Sequence, residues 1–205
     1  MHALVVAVKN IKNVAVNNIM ELPEILGSSI LIRKENEDRE KEKNMNLTEL
    51  YRIQSQLDER ISREHGLEHK DLVPFKLLAL QVELGELANE TRCFKFWSNK
   101  GPSSKDVILE EYVDCLHFIL SIGLDLSLTH IQIERITNDA TLAEEFQNLF
   151  TYIASFKEEY TMDHYRRIWN HFLLLGRKLD FTEEEIFESY LEKNKVNHKR
   201  QDEGY

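Results

Sequence analysis

Two pairs of acidic residues have the types and spacing to do chemistry. Glu83 and Glu86, then Glu111 and Asp114, are each three residues apart, the separation that projects both carboxylates from one helical face. Both pairs lie in stretches too apolar for ordinary surface helices: Leu77, Leu78, Leu80, Val82, Leu84 and Leu87, then Tyr112, Val113, Leu116, Phe118, Ile119 and Leu120. Helices apolar on so many sides belong at the centre of a fold. With about 1.5 Å of rise per residue and a turn near residue 100, the pairs sit roughly 12 to 18 Å along two antiparallel helices, where they meet side by side.

Four converging carboxylates in apolar surroundings cost several kcal/mol each in desolvation and repel one another unless a counter-charge is present. A divalent cation supplies that charge. Oxygen-only donors favour Mg²⁺ or Mn²⁺ over zinc, and such ions clamp phosphate chains. The competing reading is that the acids pair with Lys or Arg on solvated faces, but the nearby cations are few: Lys76, Arg92 and Lys95 on the second helix and Lys105 on the third. Spacing alone leaves both readings open. A di-iron bundle also places Glu on facing helices, but it needs two Glu-x-x-His motifs. The chain has none; Asp114-x-x-His117 is the nearest substitute.

Two further features surround these pairs. Lys193 to Gln201 contains Lys193, Lys195, Lys199 and Arg200 and no acid, either as phosphate-binding cations or as the basic C-terminal end of a helix. Phe94, Phe96 and Trp97 close the second apolar run, and Phe118 stands one turn beyond Asp114, where a planar base could stack. Taken singly, these aromatics read as core, and His117 reads as a satisfied interior histidine.

The elements that must position these residues are helical. From Leu47 onward apolar residues recur at helical spacing without a convincing alternating strand or repeat. Six helices are predicted. The first spans Asn46 to His65, followed by Gly66. The second opens at Pro74 and runs to Trp97. Ser103 and Asp106 resemble a capping box that starts the third, which ends near Gly123. The others span Ala140 to Glu159, Asp163 to Leu179 and Thr182 to Val196. Leu142 to Phe156 is amphipathic, as a subunit interface or an ordinary core-facing helix would be. An all-α helical bundle is the economical packing. Gly (7) and Pro (3) are too few in 205 residues for a many-stranded barrel or sandwich. The net charge of -10, from 26 basic and 36 acidic residues, disfavours general binding to nucleic acid or anionic membrane. The two cysteines, Cys93 and Cys115, exclude a disulfide framework and a Cys-rich zinc site, and a reducing cytoplasm fits.

Residues 1–44 read differently from residues 45–205. Ala3 to Val8 is apolar, but Lys9 and Lys12 interrupt it long before the roughly 18 residues of a spanning helix, and the flanks do not suit a signal peptide. Arg33 to Asn44 is a charge run, which reads as a solvated linker or helix preceding a domain boundary near 44. Alternatively, Met45 is the natural start of translation.

Taken together, Glu83-Leu-Gly-Glu86, Phe94-Lys-Phe-Trp97 and Glu111-Tyr-Val-Asp114-Cys-Leu-His117-Phe118 closely resemble the dimeric, all-α dUTPase family, relatives of the MazG-type nucleotide pyrophosphohydrolases. Gln54-x-x-Leu57-Asp58 and Asn197-x-x-Arg200-Gln201-x-x-Gly204-Tyr205 extend the likeness over Leu47 to Tyr205. The resemblance implies a homodimer that hydrolyses dUTP and dUDP to dUMP, with Mg²⁺ at Glu83, Glu86, Glu111 and Asp114. It further implies that Gln54, Asp58 and Trp97 read the uracil, that Phe118 stacks on it, and that Asp114 lies near the deoxyribose. The same resemblance implies that Lys193, Asn197 and Arg200 close over the phosphates as a mobile basic tail and that water attacks the β-phosphorus. Some members of the family carry Asn at the position of Asp58. Glu86 is the expected general base, with Glu83 the alternative. The runner-up activity is a broader MazG-type pyrophosphatase, such as one acting on dCTP. A different class is a non-catalytic helical interaction protein.

Overall fold

The computed structural model describes residues 46–204. The N-terminal extension, the start at Met45 and the terminal Tyr205 of the last motif lie outside the described residues. Six helices are described: α1 (Leu47–Glu64), α2 (Val73–Thr91), α3 (Lys105–Asp125), α4 (Leu142–Glu158), α5 (Met162–Lys178) and α6 (Glu183–Asp202). No strand occurs among these residues, so the all-α bundle expected from the periodicity is the fold.

α3 is the hub. It packs against α1, α2, α5 and α6 and buries Tyr112, Val113, Cys115, Leu116, Ile119 and Leu120 completely or nearly so. Two long-range bonds make α2 antiparallel to α3: Lys76 Nζ reaches Asp125 Oδ2 at 2.6 Å, and the Ser103 amide donates to Glu90 O at 3.0 Å. α1 and α6 instead run parallel to α3. Where α5 approaches α3, side-chain volume is missing on one side: a Cβ on Gly176 would lie 2.6 Å from Tyr112 Oη, and that hydroxyl is held by a bond to Phe172 O at 3.1 Å. α4 turns Phe146, Leu149, Ile153 and Phe156 inward, so this amphipathic segment is core-facing within the chain.

Three helix ends differ from expectation. α2 stops at Thr91 and not at Trp97, because Arg92 takes a left-handed conformation, φ 57°, and its guanidinium bonds to Lys100 O at 3.0 Å and Ser98 Oγ at 2.6 Å. Phe94 to Trp97 therefore occupy a turn. At the start of α3 the N-cap is Ser104, which makes no side-chain cap bond; the Ser103 hydroxyl is taken by Glu90. α6 starts with the expected Thr182 cap, closed into a capping box by Glu185, but continues six residues past Val196 to Asp202. Arg60 of α1 fastens that end, bonding Asp202 Oδ1 at 2.6 Å and His198 O at 3.0 Å. The basic tail is thus a helix docked on α1.

Candidate active site

Antiparallel packing of α2 on α3 brings the acidic pairs together. Glu83, Glu86 and Glu111 each offer a carboxylate oxygen within 4.8 Å of the others. Glu86 is exposed, while Glu83 and Glu111 are half-buried. Burial together with the charges of Asp114, Glu86 and Glu111 pushes Glu83 up to about 7. Glu111 is raised by burial and by Asp114 and Glu86, with Lys193 opposing. The donor set is three carboxylates that repel one another, and a small hard divalent cation relieves that repulsion. The residues therefore fit Mg²⁺ or Mn²⁺.

Asp114 has a different immediate partner. Its Oδ2 lies 2.7 Å from Lys193 Nζ, and the same ammonium reaches Glu110 Oε1 at 2.8 Å. Burial raises the Asp114 carboxyl, and the Lys193 bond, then the charge of Arg200, work against that. Burial pulls Lys193 down, but the bonds to Asp114 and Glu110 outweigh it and leave it raised. The counter-charge beside the acids thus comes from α6. Lys76, one of the neighbouring cations considered from sequence, binds Asp125 at 2.6 Å and approaches Asp58 at 3.8 Å.

A second polar cluster lies between α1 and α3. Because the two helices are parallel, Gln54 and Asp58 face His117 and Ser121 in register, four residues apart on both sides. Gln54 Oε1 is 2.8 Å from His117 Nδ1 and accepts from Tyr190 Oη at 2.9 Å. Gln54 Nε2 donates to Asp58 Oδ1 at 2.8 Å, and Ser121 Oγ donates to Asp58 Oδ2 at 2.5 Å. Burial raises the Asp58 carboxyl against the charge of Lys76 and the bonds from Ser121 and Gln54. Burial, with a smaller push from Lys193, lowers His117 to about 3, so its imidazole is neutral.

The remaining expected residues are placed as follows. Phe118 is partly buried against the core. Trp97 is exposed in the turn after α2, edge-on to Phe96 with ring centres 5.0 Å apart. Asn197 Oδ1 accepts from Arg200 at 3.4 Å on α6. Tyr190, Ser121 and the polar role of His117 were missed in the sequence. A usable signal was present, since Tyr190, Lys193, Asn194 and Asn197 recur at helical spacing on one face of α6.

Residues 46–205 match the dUTPase family. The chain belongs to that family. It is a dUTP diphosphatase, a hydrolase of nucleotide metabolism with an all-α fold. A search of curated proteins finds no match. In this dUTPase one helix, α3, supplies carboxylates to one cluster and His117 and Ser121 to the other. Among the described residues, no helix is long and apolar enough to cross a membrane.

Proposed function

We propose that the enzyme converts dUTP, and dUDP as well, to dUMP in a Mg²⁺-dependent reaction, with Mn²⁺ as a substitute. The observation that carries this reading is the convergence of Glu83, Glu86 and Glu111 within 4.8 Å. These three residues, with Asp114, would hold the ion. When bound, the ion neutralises phosphate oxygens and acidifies water. Glu86, the exposed member, accepts the proton of the attacking water. Lys193, Asn197 and Arg200 line α6 toward the phosphates, which explains how an acidic chain accommodates a polyanion. Gln54, Asp58 and Trp97 read the base, Phe118 stacks on it, and Asp114 also lies near the deoxyribose.

The same reading includes a homodimer working in the cytoplasm. Phe75, Leu78 and Val82 lie on one face of α2 and are 71%, 61% and 49% exposed, a surface suited to a second copy of the chain. Cys93 and Cys115 are both free thiols, which suits a reducing compartment.

A melting experiment tests the metal. Mg²⁺ with a non-hydrolysable dUTP analogue at about 100 times its Kd should stabilise the fold by about 2.7 kcal/mol. No shift in Tm, or hydrolysis that proceeds unchanged in EDTA, would refute the proposal.

A further inference from the structure

Gln54 is 3% exposed, and nearly all its hydrogen-bonding capacity is spoken for. Its Oε1 has two lone pairs: one takes the Tyr190 hydroxyl at 2.9 Å and the other faces His117 Nδ1 at 2.8 Å. An oxygen opposite Nδ1 requires that this nitrogen carry the ring proton. Of the two Nε2 protons, one goes to Asp58 Oδ1 at 2.8 Å. A single N–H donor is left over. An unconstrained Gln amide could turn either end toward a ligand, but turning this one would set its oxygen against the Asp58 carboxylate and would require the other tautomer of His117.

The His117 ring is also more than a structural filler. It stacks on Tyr190 with centres 4.4 Å apart, is buried, and its Nε2 has no hydrogen-bond partner among the described residues. Leaving a buried polar nitrogen unpaired costs about 1–3 kcal/mol, so stability alone does not account for a histidine here. Among the described residues its one hydrogen bond is the one that sets Gln54.

We propose that Tyr190 and His117 are positioning residues for base selection: by filling both lone pairs of Gln54 Oε1 they force the amide to offer only an N–H, which pairs with the 4-carbonyl of uracil and opposes the 4-amino group of cytosine. Asp58 adjoins that donor as an acceptor, the complement of the N3–H beside the uracil carbonyl. Cytosine presents the reverse order, an amino donor beside a bare N3. Discrimination between the two bases thus originates in hydroxyl and imidazole groups one layer behind the amide. This inference rests on the reading that Gln54 faces the base.

The test is the ratio of kcat/KM for dUTP to that for dCTP in the full chain with Mg²⁺. Tyr190→Phe keeps the ring and removes the hydroxyl; losing one neutral hydrogen bond should lower the ratio about tenfold, through a higher KM for dUTP and a lower one for dCTP, with kcat for dUTP little changed. His117→Leu should act in the same direction, and His117→Asn, which can present an N–H near the place of Nδ1, should restore much of the ratio. A purely structural role would reduce turnover of both nucleotides equally; an unchanged ratio in Tyr190→Phe and His117→Leu overturns the proposal. Gln54→Ala separates the two levels. If it lowers the ratio while the other variants do not, Gln54 reads the base without help from Tyr190 and His117. If it leaves the ratio unchanged, the placement of Gln54 at the base fails, and this inference with it.

Discussion

Lys193 Nζ lies 2.7 Å from Asp114 Oδ2, so a cation from α6 is held against one carboxylate of α3 while Glu83, Glu86 and Glu111 gather together. The four acids therefore divide into a group of three and an ion-paired fourth. Under the proposed function, Lys193 has two possible anionic partners, the carboxylates of α3 and the phosphates of the substrate.

Replacing Lys193 separates these roles. Lys193→Met should raise KM for dUTP about 10- to 100-fold, the equivalent of losing one charge-assisted hydrogen bond. The same change frees Asp114, so Mn²⁺ binding measured by calorimetry without nucleotide should tighten. Weaker Mn²⁺ binding would show that Lys193 does not compete with the ion.

Glu86 is exposed and outside the core, so its substitution tests chemistry without testing folding. Glu86→Gln should lower kcat by about 10²- to 10⁴-fold, while Tm without metal should not fall, because the change removes one of three mutually repelling charges. Retained turnover would move the general base to Glu83.

Glu83 carries a pH signature. Its carboxyl rises from 4.5 to about 7 on folding, so over that window the native state holds a proton that the unfolded chain has released. The stability this group contributes to the metal-free protein is therefore fully present below 4.5 and is lost as pH rises through about 7. His117 acts in the opposite sense: its folded value of about 3 lies below the ordinary 6.5, so its contribution grows as pH rises toward 6.5. The comparison must accordingly be made between variants. In EDTA, the Tm of Glu83→Gln minus that of the parent should increase from about pH 5 to about pH 8. Adding Mg²⁺ should reverse the order at the higher pH. A difference that does not vary with pH would remove Glu83 from the repelling cluster.

The exposed face of α2 makes a prediction about assembly. Leu78→Arg places a charge among Phe75, Leu78 and Val82, and burying an unpaired charge in an interface is strongly unfavourable. Sedimentation at micromolar concentration should show a dimer for the parent and a monomer for the variant. Identical sedimentation would place the proposed second copy elsewhere.

Much of this architecture could be read from the residues. All six helices follow from apolar spacing, and the meeting of Glu83 and Glu86 with Glu111 follows from helical rise and one turn. What was not legible depends on partners distant in sequence. α6 extends to Asp202 because Arg60 holds its end, and α2 ends at Thr91 because the Arg92 guanidinium finds Ser98 and the Lys100 carbonyl. Likewise, spacing showed that Asp114 shares a face with Glu111, but the ammonium beside it comes from a helix about eighty residues away. His117 read as interior, which it is; its bond to Gln54 depends on the parallel arrangement of α1 and α3, and periodicity does not encode direction.

That α3 contributes to both clusters has a geometric corollary. Glu111 and Asp114 belong to the acidic end and His117 and Ser121 to the end that bonds Gln54 and Asp58, spread over about 15 Å of one continuous rod at 1.5 Å per residue. On the proposed reading, the helix is a ruler, and its rungs set the span between nucleobase and phosphates. One inserted residue between 114 and 117 would lengthen that ruler by only about 1.5 Å but swing its far half through about 100°, turning His117 and Ser121 away from Gln54 and Asp58 while both halves stayed helical.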